Sequence, residues 1–336
     1  MTERGKIGGD IFADTIAPNL GADRADVTLG PKYGVDFGVL SVGDRRLLCA
    51  TDPLSVLPGL GWERAARFAL GVVLADVAVA GVTPTHLAPS FALPPEMADD
   101  EFARLWETMD AELRDLGTAV LTGHTARYDG VTFPWVGAAT AMAVADPDEF
   151  VRPDGAQPGD RLLVTTGPGV EAAALFAALF PDEIALDDAT LDDAAALLPE
   201  TDHVHAAPAA AEAAPVTAMH DATEGGIHGA LHELAAAAGV GISFDPDAVP
   251  FPDPARAVAE ALSFDPWAAT SSGSLLVTVR PDSVDAALEA LRAAGMDAAA
   301  VGTVREGDRV IADGTPVSDP DGDASWPVYA TLADHG

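Results

Sequence analysis

Residues 70–84 read Leu70-Gly71-Val72-Val73-Leu74-Ala75-Asp76-Val77-Ala78-Val79-Ala80-Gly81-Val82-Thr83-Pro84, an apolar run with one carboxylate inside it. The composition predicts a helix over Trp62–Ala80, rich in Ala, Val and Leu and ended by Gly81 and Pro84. Nearly every neighbour of Asp76 is apolar, so it cannot be a plain surface residue. Burying an unpaired carboxylate is costly, and Asp76 must be paired, protonated or metal-bound. Only 16 arginines are available to pair with it, which ranks metal or ligand work ahead of an internal hydrogen bond.

Strands and helices alternate outward from this helix. Phe37–Val42 and Arg46–Thr51 read as strands joined by a Gly43–Asp44 turn. His86–Leu93 reads as a strand closed by Pro94–Pro95. Asp99–Leu116 has helical spacing, with Phe102, Leu105, Trp106, Met109 and Leu113 on one face. Thr118–Thr122 and Val131–Val144 are further strands. The stretch Asp146–Gly159, dense in charge, proline and glycine, reads as a boundary between domains 1–150 and 151–336. Beyond it come a strand over Arg161–Thr166, an Ala-rich helix from Val170, a short strand over Val216–Met219 and a helix over Ile227–Ala238. Ser274–Val279, Ser283–Ala294 and Ala298–Val304 form a β-α-β unit, and Arg309–Ala312 is the last predicted strand. The pattern is α/β (α+β), and 336 residues suit two domains.

Composition narrows the function. The chain carries 53 acidic and 18 basic residues, a net charge of −35. Such a field repels phosphate backbones and anionic lipid, which argues against nucleic-acid and membrane binding. The acids are spread along the whole chain, as on the solvated surface of a halophilic protein. The single cysteine, Cys49, excludes an internal disulfide, a Cys-based zinc site and an iron–sulfur cluster, and reads as a core residue. No signal peptide is evident in MTERGKIGGD, and Phe68–Val82 is too short to span a bilayer. A soluble, cytoplasmic protein is expected.

Other segments could carry chemistry. Asp36 lies in Gly34-Val35-Asp36-Phe37-Gly38, and Asp52 ends a strand in Ala50-Thr51-Asp52-Pro53; taken alone, surface and functional readings both stand. In Met219-His220-Asp221-Ala222-Thr223-Glu224-Gly225-Gly226-Ile227 a strand runs into two glycines that open a helix. That arrangement suits an anion bridged to carboxylates by a cation, or ordinary capping by Asp221 or Thr223. Thr165-Thr166-Gly167-Pro168-Gly169 resembles a phosphate cradle only loosely and reads equally as a turn. His124 and Arg127, in the loop Thr122-Gly123-His124-Thr125-Ala126-Arg127-Tyr128, suit phosphate contact or acid–base work, or a plain surface. His228 and His232 stand four apart, but Glu233 follows the second, so no HExxH zinc arrangement exists.

Taken in order, these pieces resemble the aminoimidazole ribonucleotide synthetase (PurM-like) superfamily. That group includes the HypE-type hydrogenase-maturation dehydratase, thiamine-monophosphate kinase and selenophosphate synthetase. The resemblance runs through Gly5-Lys6-Ile7, Gly30-Pro31 with Gly34-Val35-Asp36, and Thr51-Asp52-Pro53. It continues through Leu74 to Pro84, Met219 to Gly226, and Ser271-Ser272-Gly273-Ser274-Leu275-Leu276. It implies a PurM-like two-domain fold. An N-terminal mixed sheet pairs with that of a second copy into a barrel, and the C-terminal domain is an α/β sandwich. It further implies a homodimer that binds ATP and Mg2+ and phosphorylates an oxygen of an unknown small molecule. Asp36, Asp52, Asp76 and Asp221 become candidate magnesium ligands. Thr122, Gly123, Gly167, Gly169, Gly225 and Gly226 would line the nucleotide together with Asp36 and Asp52. His124 and Asp76 are the candidate catalytic residues. The chain also departs from the pattern. Thr122-Gly123-His124 stands where kinase members carry Gly-Gly-Asp, Val35 replaces an aspartate, and the end, Ala333-Asp334-His335-Gly336, lacks the dehydratase's terminal cysteine. These departures admit a second reading, a nucleotide-binding regulator or scaffold without turnover.

Overall fold

The structure, a computed structural model, describes residues 5–7, 9–199 and 202–335; residues 1–4, where the leader reading begins, and Gly336 lie outside it. Leu48, Ala50 and Leu54 are buried while Thr51 and Pro53 are exposed, the two-residue period of a strand covered on one face. That strand is β3 (Arg45–Ser55), at the centre of a mixed sheet. Its companions are β1 (Val27–Leu29), β2 (Gly38–Val42), β4 (His86–Leu93), β5 (Ala119–Val120), β6 (His124–Arg127) and β7 (Trp135–Ala145). The order is β1-β2-β3-β7-β4-β5, with β6 also on β4. A short turn, α1 (Gly9–Ile11), precedes this sheet. Two helices cover one face: α2 (Trp62–Ala78) and α3 (Asp99–Leu116). α3 begins where Glu101 accepts from the Ala98 amide at 2.8 Å, and it ends at Gly117 in the left-handed region.

The second sheet has the order β14-β13-β10-β12-β8-β11-β9. Its strands are β8 (Arg161–Thr165), β9 (Val216–Asp221), β10 (Gly241–Phe244), β11 (Leu275–Val279), β12 (Ala298–Arg305), β13 (Val310–Ala312) and β14 (Thr315–Pro316). Its helices are α4 (Val170–Leu179), α5 (Asp188–Ala195), α6 (Asp202–Ala213), α7 (Gly226–Ala238), α8 (Asp253–Leu262), α9 (Val284–Ala293) and α10 (Ser325–His335). Among the described residues no helix is long and apolar enough to cross a membrane.

Several expectations need correction. β9 runs on through His220 and Asp221 rather than stopping at Met219, because both residues pair with β11. His124 sits on a strand, not in a loop, since its segment pairs in parallel with Ser90–Leu93. Cys49 is half-buried on the uncovered face of the first sheet, opposite Met142, rather than in the core. β10, α8 and α10 were not expected.

The two sheets are joined through α2. One apolar cluster contains Leu70 and Val73 of α2, Val204 and Ala207 of α6, Leu275 and Val277 of β11, and Leu291 of α9. A second tie lies in the loop before β2. Gly34 has φ +73°, and a Cβ placed there would stand 2.2 Å from the Glu233 carbonyl oxygen of α7. Only glycine allows this approach, and it carries Asp36 across to the second sheet.

The contact predicts a contrast. Gly34→Ala adds overpacking of about 1–3 kcal/mol to the backbone cost, whereas Gly117→Ala pays only the left-handed cost of about 1–2 kcal/mol. Gly117 shares a φ of +73° but has nothing within 4 Å. Thermal unfolding should show the larger loss for Gly34→Ala; equal losses would mean that the loop does not fix the approach of the two sheets.

Candidate functional site

Four aspartates reach the seam between the sheets from four separate elements. Asp52 shares the covered face of β3 with Leu48, Ala50 and Leu54, and so points beneath α2. Asp76 descends from the last turn of α2, partly buried, and its carboxyl stands against that of Asp52. Asp36 arrives from the loop fixed by Gly34. Asp221 ends β9, opposite Leu275. Asp36, His220 and Asp221 each bring a potential ligand atom within 4.8 Å of the others.

The electrostatics of this seam are those of crowded acids. Burial pushes the Asp76 carboxyl well above the ordinary range, and the charges of Asp52, Asp221 and Asp36 push it further. Burial raises Asp52 too. Asp221 is pushed up to about 7 by burial and by Asp36, against the pull of His220 and Lys6. Two carboxyls this close share a proton unless a cation takes its place. One oxygen of Asp52 and one of Asp221 are buried without a hydrogen-bond partner. Orphaned, inward-facing carboxylate oxygens are the donor set that a hard divalent cation takes, so the residues fit magnesium.

Cations edge the cluster. His220 Nδ1 lies 2.5 Å from Asp36 Oδ2, and its Nε2 lies 2.9 Å from Glu233 Oε2. Burial alone would lower the His220 pKa; Asp36 and Glu233 raise it well above the usual value instead. The Lys6 ammonium donates to Thr223 Oγ1 at 3.0 Å and stands 3.9 Å from Glu233 Oε1. Glu233, Lys6 and the bridging role of His220 were not anticipated from the sequence. One signal existed for Lys6: it is one of only two lysines in the chain.

The other candidates lie elsewhere. His124 is exposed on β6, its Nε2 3.0 Å from the Tyr128 hydroxyl and its ring stacked on that of Tyr128. Gly123 packs over Pro89, and Pro89 and Asp52 both pair with Ala139. Three strand spacings thus separate Thr122–His124 from Asp52, roughly 14 Å. The glycine turns are filled by the chain itself. Gly167 faces the Pro250 carbonyl and Gly169 faces Pro266, while the Gly169 amide donates to Ser271 Oγ at 2.7 Å. The Gly225 amide donates to Asp323 Oδ2 at 2.9 Å, and Gly226 is pressed against the carbonyls of Trp267 and Ala269. One amide at the start of each helix is thus already bonded within the chain.

Behind the first glycine turn lies Glu171, on the opening turn of α4. It accepts from Thr270 Oγ1 at 2.7 Å and from the Ser272 amide at 2.8 Å. Burial pushes it up to about 7.

Comparison with known proteins places this geometry in context. Residues 34–144 match the AIR synthase related protein N-terminal domain, and residues 157–314 match the C-terminal domain. Carbamoyl dehydratase HypE of Rhizobium leguminosarum bv. viciae is 29% identical over 281 residues, covering 81% of this chain and 77% of that protein. Carbamoyl dehydratase HypE of Azotobacter vinelandii is 31% identical over 236 residues, covering 68% of this chain and 66% of that protein. A solved structure of AaThiL complexed with AMPPCP and TMP superposes with a TM-score of 0.68 at 22% identity, covering 87% of this chain and 91% of that one, which establishes the fold.

Glu171 gives a pH prediction. Its folded value of about 7 exceeds the ordinary 4.5, so the unfolded chain releases the proton first as pH rises. Stability from this group is complete below about 4.5 and is lost between there and about 7, on the order of 3 kcal/mol in all. Glu171→Gln keeps an acceptor without titrating. Melting curves from pH 5 to 8 should fall less steeply for the variant than for the wild type; parallel curves would show that Glu171 ionises as it does in water.

Proposed function

The chain belongs to the AIR synthase related protein family, and on that premise we propose that it is an ATP- and Mg2+-dependent enzyme. It transfers the γ-phosphoryl group to an oxygen of a small carbonyl, amide or phosphate substrate, with loss of that phosphate in a dehydration or ring closure as a further step. The observation that carries this reading is the buried seam where Asp36, Asp52, Asp76 and Asp221 meet with two orphaned oxygens. Asp52, Asp221, Asp36 and Asp76 would hold the magnesium, Asp52 and Asp221 through their unpartnered oxygens. When bound, such an ion would supply the positive charge that offsets the nucleotide's phosphates, which a chain of charge −35 would otherwise repel. His220 and Lys6 add positive charge at the rim. Catalysis then rests on positioning and charge neutralisation, with no covalent role for the protein. The HypE relatives point to a carbamoyl-type acceptor and to hydrogenase maturation, and the complex of AaThiL with AMPPCP supports nucleotide binding. His124 lies three strand spacings along the sheet from Asp52 and takes no part in this reading.

The active form in this reading is a homodimer. The uncovered face of the first sheet presents Val42, Leu47, Cys49, Met142 and Val144 around a Thr51–Thr140 hydroxyl pair 2.8 Å apart, and none of these positions is acidic. In so acidic a chain that face suits a second copy, sheet against sheet. Light scattering is expected to return twice the chain mass.

Calorimetric titration with β,γ-methylene-ATP in molar KCl tests the function. The wild type is expected to bind only with Mg2+ present. Asp52→Asn and Asp221→Asn, melting near the wild-type temperature, are expected to weaken binding by about tenfold or more. Binding indifferent to Mg2+ and to both substitutions overturns the reading.

A further inference from the structure

Lys6 is one of two lysines in a chain with 53 acidic residues, and it stands at the open edge of the carboxylate seam. Its backbone is seated there. The Lys6 amide donates to Glu224 Oε2. A Cβ on Gly5, whose φ is +98°, would stand 2.6 Å from that oxygen and 2.8 Å from Trp326 Nε1, so only glycine lets the segment in. The side chain, by contrast, is underused. An ammonium carries three N–H donors. One goes to Thr223 Oγ1 at 3.0 Å; Glu233 Oε1, at 3.9 Å, lies beyond hydrogen-bond reach, and no other described residue takes the remaining two.

Thr223 follows Asp221 by two residues, at most about 7 Å of backbone, so this ammonium stands close to the carboxylates. The Lys6 side chain is 58% exposed, against 16% for Glu233 and 14% for Asp36, and is the member of the three most open to solvent. The other lysine is differently placed. Lys32 donates to the Ala237 carbonyl at 3.0 Å, one helical turn beyond Glu233 on α7.

Unspent ammonium donors on a flexible stem suit the oxygens of a phosphate, which accept charge-assisted hydrogen bonds. A phosphoryl acceptor has to reach the outermost phosphorus from solvent, which puts the outermost phosphate at the open edge. We propose that Lys6 binds the terminal phosphate of the nucleotide and thereby distinguishes a triphosphate from a diphosphate. The inference rests on the metal–nucleotide reading above and adds to it the residue that reads the number of phosphates.

With so few lysines, affinity labelling tests this directly. Adenosine diphosphopyridoxal carries an aldehyde just beyond its second phosphate. A lysine there condenses with it, water leaves, borohydride reduces the imine to a stable amine, and peptide mass mapping identifies the residue. The label is expected on Lys6, and excess β,γ-methylene-ATP is expected to block it. Calorimetry with Mg2+ present supplies a second measurement. Lys6→Gln is expected to weaken β,γ-methylene-ATP by about tenfold and ADP by less than about twofold. Should Lys6→Gln fail to fold, labelling of the wild type decides. Three outcomes overturn the proposal and leave the metal–nucleotide reading in place: no label on Lys6, a label there that the analogue does not block, or equal losses for both nucleotides in the folded variant. A wild-type chain that binds no β,γ-methylene-ATP overturns that reading, and this proposal with it.

Discussion

Four carboxyls cannot share a buried seam as four free anions. Each additional charge raises the cost of the next: burial raises the carboxyls of Asp52 and Asp76, and His220 and Lys6 at the edge offset part of the charge. The orphaned oxygens of Asp52 and Asp221 show that the compensation is incomplete. A structural acid in an ordinary core is fully partnered. In the reading proposed above, the seam takes the missing charge from outside, with a divalent cation the simplest carrier.

The fold is arranged around that requirement. β3 places Asp52 on its covered face, α2 lowers Asp76 onto it, and β9 carries Asp221 to the same level from the second sheet. The apolar cluster shared by α2, α6, α9 and β11 holds these elements in register. The glycine at position 34 closes the remaining gap by letting its loop touch the α7 backbone. The site thus belongs to neither sheet alone, and packing far from the carboxylates fixes their separation.

How much of this was readable in the residues depended on the range of the interaction. Asp76 was legible because its surroundings are apolar over a whole helix, a local pattern. Asp36 and Asp52 were ambiguous because a strand's two-residue period does not say which face is covered; the superfamily resemblance, rather than their own context, grouped them. His220 and Glu233 were hidden because the bonds that define them span 184 and 13 residues and answer to no spacing rule. The glycine turns of Gly167–Gly169 and Gly225–Gly226 were recognised as turns before helices, but the groups that accept from the Gly169 and Gly225 amides, Ser271 and Asp323, come from 102 and 98 residues away. Propensity likewise gave α2 and α3 nearly to the residue, and missed β10, whose four residues are held mainly by β12 and β13.

The most direct measurement of the central claim is diffraction from crystals grown with Mn2+ and β,γ-methylene-ATP, recorded on both sides of the manganese absorption edge. The account predicts an anomalous peak in the seam, bonded to oxygens of Asp52 and Asp221 and to the nucleotide's phosphates, with the Asp52–Asp76 contact opened. A seam without a peak, its two acids still in contact while nucleotide or metal sits elsewhere, would contradict it.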